Sequence, residues 1–296
     1  MATTVTAEGG YLGRFAPSPT GPLHLGSLVA ALGSFLDARH QGGRWLVRIE
    51  DLDRERVRPG CADAMLRTLE AHGLNWDGRV EYQSERIAHY QEALHRLSSR
   101  ALTFECSCSR RERAGEGGYP GTCRDGPRLA GPTATRLRVE DTAITFADRA
   151  QGRCTFSLRE RGDVVLRRRD GTFAYQLAVV VDDAAQSVTD VVRGADLLDN
   201  TPWQIALQLA LGLPTPRYLH LPVIVEARGG KLSKSRRSLP LDPATAGFQL
   251  YQALTLLGQN PPPELKSESA GRLLAWASGN WRVDRFQGIA KVSVPG

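Results

Sequence analysis

His24, Gly26 and Ser27 follow a loop that holds Pro17, Pro19 and Pro22, and they open a run of apolar residues, Leu28, Val29, Leu32, Phe35 and Leu36, at helical spacing. The prolines fix φ and exclude helix from the loop. The helix's first free N–H groups and the His24 imidazole therefore fall together, which suits a phosphate. A second chemical group is the basic stretch with Lys231, Ser233 and Lys234. Of 38 Lys plus Arg, the only lysines are at 231, 234, 266 and 291, so two of four lie in this one loop. A chain that otherwise uses arginine wants a compact, mobile ammonium there rather than a planar fork. A third group is Cys106, Cys108 and Cys123, three of five cysteines within eighteen residues. Three thiolates close a tetrahedral zinc site once a fourth ligand is supplied. No histidine lies between His95 and His220, which leaves Tyr119, Glu112, Glu116 and Asp125 as local candidates.

The elements that position these groups read as a βαβ unit: a strand at residues 11–16, a helix to about residue 39, and a strand at 45–50. Glu50 and Asp51 then stand at the carboxyl end of a parallel strand, where open α/β sheets bind ligands. A helix that opens at Pro59 and carries its apolar repeat over 61–71 follows, and another at 84–100. Their His72, His89 and His95 lack metal spacing and read as structural. Residues 135–139 and 164–168 alternate like half-buried strands, with Asp170-Gly171 as a hairpin turn and pairing continued to Tyr175. A strand near 187–192, a helix at 203–211, and helices near 248–257 and 273–276 complete the pattern. The fold class is α/β: a Rossmann-type parallel sheet with an inserted zinc-binding subdomain and a short helical C-terminal region. The expected boundaries are 1–103 and 176–240 for the two halves of the catalytic domain, 104–175 for the insertion with its knuckle at 104–124, and 241–296 for the C-terminal region.

A formal charge of +6 and pI near 9.3 point to a polyanionic partner. Arg100, Arg110, Arg111, Arg113, Arg124, Arg128, Arg136 and Arg138 concentrate that charge around the cysteines and read as a track for an RNA backbone. The longest aliphatic run, residues 177–181, stops at Asp182-Asp183, and residues 1–10 lack a signal-peptide pattern. A cytoplasmic protein with no membrane segment, no disulfide framework and no protein partner is expected.

Residues 17–27 resemble the HIGH motif of class I aminoacyl-tRNA synthetases in its glutamyl form, with Ser27 where the motif ends in histidine. Lys231-Leu232-Ser233-Lys234-Ser235 resembles the KMSKS loop of the same class, in the right order and about 200 residues on. The resemblance runs from residue 11 to 238. It implies that His24 and Lys234 are catalytic, and that His24, Gly26, Ser27, Lys231 and Lys234 hold ATP, with Mg2+. It also implies a glutamate site of Arg14, Ala16, Ser18, Glu50, Tyr175 and Arg193. In it Arg14 reads the side-chain carboxylate, Glu50 the ammonium group and Arg193 the α-carboxylate.

Only 58 residues follow residue 238, too few for the anticodon-reading domain of an ordinary glutamyl enzyme. The match is therefore closer to the shortened glutamyl-queuosine branch, whose members glutamylate a modified anticodon base of tRNA(Asp). That branch carries a Cys-x-Cys…Tyr…Cys arrangement, which selects Tyr119 as fourth ligand to one structural zinc ion. The resemblance implies ATP, glutamate and queuosine-bearing tRNA(Asp) as partners. A truncated enzyme charging an acceptor end and an idle RNA-binding paralogue are the alternative functions.

Overall fold

A computed structural model describes residues 10–109, 119–225 and 239–293. The first half runs β1 (Leu12–Phe15), α1 (Leu25–His40), β2 (Arg44–Ile49), α2 (Cys61–Ala71), β3 (Glu81–Tyr82) and α3 (Ile87–Ser99). Next come β4 (Thr103–Cys106), β5 (Ala134–Leu137), β6 (Ala143–Asp148), β7 (Gly152–Ser157), the single turn α4 (Leu158–Arg161) and β8 (Val165–Arg167). The second half holds α5 (Tyr175–Ala185), β9 (Asp190–Gly194), α6 (Thr201–Leu211), β10 (Arg217–Leu221) and β11 (Val223–Val225). It closes with α7 (Ala246–Leu256), α8 (Ala270–Asn280) and β12 (Lys291–Ser293).

Seven strands form the main sheet in the order β3-β2-β1-β9-β10-β6-β7. All its pairs are parallel except β6 with β7. Alternation along β2 explains the layering. Trp45, Val47 and Ile49 enter a core built with α1, α2, α7 and α8, whereas Arg48 points to the face covered by α3, α5 and α6. α1 lies close on β10: a Cβ at Gly33 would meet Leu221 Cδ1 at 2.4 Å. The C-terminal region belongs to this core. Trp281 Nε1 donates to the buried Asp37 of α1 at 3.0 Å, and β12 pairs with β11.

A separate three-stranded antiparallel sheet, β4-β5-β8, carries the cysteine segment. The hairpin β6-β7 lies within the same stretch of sequence yet extends the main sheet, because β6 pairs in parallel with β10 through Tyr218↔Asp148. Two local expectations change. Pro59 precedes rather than opens α2, whose N-cap is Gly60 at φ 71°, a conformation that favours glycine. Beyond an Arg167↔Phe173 bridge the expected strand pairing gives way, and Tyr175 begins a helix. His72 is structural, as expected, with contacts to Thr68 O and Gln249 Oε1. Among the described residues, no helix is long and apolar enough to cross a membrane.

Candidate active site

A cavity of ≈ 490 Å³ opens beside β1, β2, β9 and β10, between the start of α1 and the start of α5. Arg14, Ala16, Ser18, His24, Gly26 and Ser27 line one part of it. Glu50, Tyr175 and Arg193 line the remainder, together with Arg56 and Asp196, which the sequence reading did not single out.

The end of the cavity at the start of α1 is built by local chain geometry. His24 is the N-cap of α1, and its Nδ1 accepts from the Ser27 N–H at 3.3 Å while the His24 N–H donates to Ser27 Oγ at 2.7 Å. Ser27 therefore closes a capping box, a task for which a short hydroxyl is suited. Burial lowers the His24 pKa, which favours the neutral ring. With Nδ1 accepting, the proton of that neutral ring sits on Nε2, a donor. A Cβ at Gly26 would approach His24 Cε1 to 3.1 Å, so only glycine leaves the imidazole at ease there.

The opposite end is a buried ionic cluster. Arg14 donates from Nε and Nη2 to Asp183 at 3.0 and 3.2 Å, and Arg48 donates from Nη2 to Asp183 Oδ1 at 2.8 Å. Burial opposes ionisation of Asp183, but Arg14 and Arg48 outweigh it and hold its carboxyl below the ordinary range. Asp182 accepts from Gln83, Arg86 and Tyr90 at 2.8, 2.6 and 2.8 Å. These two aspartates, read in the sequence as the end of an aliphatic run, are instead the buried anions that fix the arginines. Glu50 differs from both. Burial pushes its carboxyl up to about 7 against the pull of Arg48 and Arg14, and its Oε1 has no hydrogen-bond partner among the described residues. A buried carboxylate oxygen at the wall of a cavity is a receptor for a cation.

Arg193 donates to Gln204 Oε1 and Thr201 Oγ1, both at 2.8 Å, to His220 Nε2 at 3.1 Å, to Tyr175 Oη at 3.2 Å and to Leu197 O at 3.4 Å. Neither His220 nor Asp183 was selected from the sequence. Each acts through an arginine that the sequence did mark.

Cys106, Cys108 and Cys123 are buried, with their sulfurs all within 4.8 Å of one another. Tyr119 Oη lies 3.4 Å from Cys106 Sγ and 3.7 Å from Cys108 Sγ, and accepts from the Cys123 N–H at 2.8 Å. Three soft sulfurs and one oxygen around a common point fit a tetrahedral ion. Asp125 is exposed. Glu112, Glu116, Arg110, Arg111 and Arg113 lie outside the described residues, as do Lys231 and Lys234. Several of the arginines expected to track RNA also have partners within the chain. Arg124 clasps Asp163 at 2.6 and 2.8 Å, and buried Arg136 stacks over the Tyr119 ring at 4.0 Å. Arg138 and Arg100 are held by the carbonyls of Arg124 and Ala210.

The family model for tRNA synthetases class I (E and Q), catalytic domain, matches residues 12–116 and 122–245. The chain belongs to this family. Among class I synthetase relatives it is 54% identical to the glutamyl-Q tRNA(Asp) synthetase of Ectopseudomonas mendocina (strain ymp) over 289 residues, which covers 96% of this chain and 98% of that one. It is likewise 54% identical to the glutamyl-Q tRNA(Asp) synthetase of Thiobacillus denitrificans, over 96% and 97% of the two chains. In fold it is similar to a solved glutamate-tRNA synthetase from Elizabethkingia anophelis. The TM-score is 0.80 at 24% identity, covering 97% of this chain and 68% of that one.

Proposed function

We propose that this class I synthetase activates glutamate with ATP and transfers it to queuosine in the anticodon of tRNA(Asp). The observation that carries the reading is 54% identity along 96% of the chain to a relative named for that activity, whose own length is matched to 98%. In the first step a glutamate carboxylate oxygen attacks the α-phosphorus of ATP, forming glutamyl-adenylate and releasing pyrophosphate. In the second a hydroxyl of queuosine attacks the adenylate carbonyl, forming an ester and releasing AMP. His24 donates from Nε2 to the ATP phosphates, with Gly26 and Ser27 holding the helix start against them. Lys231 and Lys234 supply positive charge as the phosphates develop negative charge, and Mg2+ accompanies ATP. Glu50 takes the ammonium group, while Arg14, Ala16, Ser18, Tyr175 and Arg193 form the rest of the glutamate site. The reaction belongs in the cytoplasm. The boundaries 1–103, 104–175, 176–240 and 241–296 stand as the proposed division, with β6-β7 serving the main sheet.

Labelled glutamate, ATP and enzyme should label tRNA(Asp) that contains queuosine and leave tRNA(Glu) unlabelled. Trimming the 3′-terminal adenosine from tRNA(Asp) should not reduce the yield. Equal labelling of tRNA(Asp) lacking queuosine, or loss of label on trimming, would assign the enzyme to acceptor-end charging instead.

Cys106, Cys108, Cys123 and Tyr119 bind one zinc ion in this proposal, and a closed four-ligand site gives it a structural role. Metal analysis of purified protein is expected to return one zinc per chain, and Cys106→Ser to lower that content and the thermal midpoint together. A metal-free protein of unchanged stability would remove the zinc assignment.

A further inference from the structure

Beneath the cavity, Arg193 is held by a chain of buried polar groups that ends on a distant part of the sequence. His220 stands beside Arg193 in the β9–β10 register. Its Nε2 lies 3.1 Å from Arg193 Nε, and its Nδ1 lies 2.6 Å from Asp148 Oδ2. Asp148 closes β6, and its Oδ1 accepts the backbone N–H groups of Ala150, Gln151 and His220 at 3.0, 2.8 and 3.3 Å. All three side chains are buried.

Hydrogen-bond chemistry leaves one arrangement. A guanidinium Nε carries a proton and only donates, so His220 Nε2 is the acceptor and the imidazole proton is on Nδ1. Asp148, an acceptor at that position, selects this tautomer. Burial and Arg193 from β9 favour a neutral imidazole, against Asp148 from β6 and Asp196 from the turn after β9, and Tyr218 stacks on the ring at 6.1 Å. Burial lowers the His220 pKa despite Asp148.

Arg193 then has two kinds of contact. The bonds to His220, Gln204 and Thr201 are the shorter ones, at 3.1, 2.8 and 2.8 Å. The two longer ones, 3.2 and 3.4 Å, go to Tyr175 and Leu197, which line the cavity. A carboxylate entering the cavity would exchange with the two weak partners and leave the other three in place.

We propose that Asp148 and His220 are positioning residues for glutamate recognition: Asp148 fixes the His220 tautomer, and His220 holds the Arg193 guanidinium so that its cavity-side N–H groups meet a substrate carboxylate. This rests on the cavity being the glutamate site. Asp148→Asn tests it. Its amide oxygen keeps the backbone contacts, but its NH2 faces His220 Nδ1, which drives the ring proton to Nε2 and sets it against the Arg193 Nε–H.

The tautomer is read by 15N NMR of the His220 ring, and binding by calorimetric titration of the full chain with glutamate and, separately, ATP. The wild type should show the Nδ1–H form and Asp148→Asn the Nε2–H form. The glutamate Kd should rise by about tenfold or more while the ATP Kd stays within about twofold. A wild-type Nε2–H tautomer overturns the inference without recourse to any variant. Equal glutamate affinity in wild type and Asp148→Asn overturns it while leaving the proposed function intact. A wild type that binds ATP but no glutamate overturns both.

Discussion

Asp183→Asn is expected to lower the free energy of unfolding by about 3 kcal/mol, the scale for removing one member of a buried ion pair, and to remove measurable glutamate binding. The reason is the number of charges that converge on this carboxylate. Arg14 grips both of its oxygens, and Arg48, whose side chain is fully buried, donates to one of them. Neutralising Asp183 removes the carboxylate that both guanidinium groups share, leaving Arg14 without its anion and Arg48 with only looser pairs to Asp182 at 3.8 Å and Glu50 at 3.7 Å. Arg14 would then be free to turn toward Glu50, closing the space the substrate needs. Urea denaturation gives the first quantity and calorimetric titration the second. An unchanged midpoint would mean that the cluster is solvated in solution, and retained glutamate binding would separate Arg14 from the substrate.

The end of the cavity at the start of α1 was legible because its signals are local. Proline-imposed loop geometry, a helical repeat that starts after Gly26, and a histidine with a serine three residues later all lie within 20 consecutive residues, 17–36. The same is true of helix α2, whose span of residues 61–71 was read from its apolar repeat. The end of the cavity beside β1, β2 and β9 was half legible. Arg14, Glu50, Tyr175 and Arg193 come from the family resemblance, but the groups that hold them come from pairings invisible along the chain. Asp183 reaches Arg14 across 169 residues and Asp148 reaches His220 across 72. Asp182 and Asp183 look like a polar stop after an aliphatic run, and only the rotation of α5 against the sheet turns them inward. The hairpin β6-β7 drew no strand reading from the sequence, which placed strands only at 135–139 and 164–168 in this stretch, and the alternation of Ile144, Phe146 and Asp148 emerges only in the fold. Nothing in that alternation says that it would join the main sheet beside β10 rather than the small sheet beside β5.

Glu50→Gln is expected to make the ligand-free protein more stable and nearly unable to bind glutamate. Burial raises the Glu50 carboxyl from 4.5 to about 7, with Arg48 and Arg14 only partly offsetting it. A raised acid pKa means that the folded state holds this proton more tightly than the unfolded state does. The resulting stability is fully present below pH 4.5 and is lost as the pH climbs through about 7. At pH 8 the wild type therefore carries a buried charge that costs it roughly 3 kcal/mol, at about 1.4 kcal/mol per pKa unit. Glutamine at this position avoids that loss, so the variant should match the wild type at pH 5 and exceed it at pH 8. Substrate reverses the balance. The ammonium group of glutamate supplies the hydrogen bond that Glu50 Oε1 lacks beside its 3.7 Å pair with Arg48, so glutamate should stabilise the wild type more at pH 8 than at pH 5. Losing that buried charge pair in Glu50→Gln should weaken glutamate binding by about a hundredfold. Denaturation midpoints at the two pH values, with and without glutamate, give all four comparisons. A variant no more stable than wild type at pH 8 would show that Glu50 is ionised and solvated without cost. Equal stabilisation of both proteins by glutamate would move the ammonium contact to another residue.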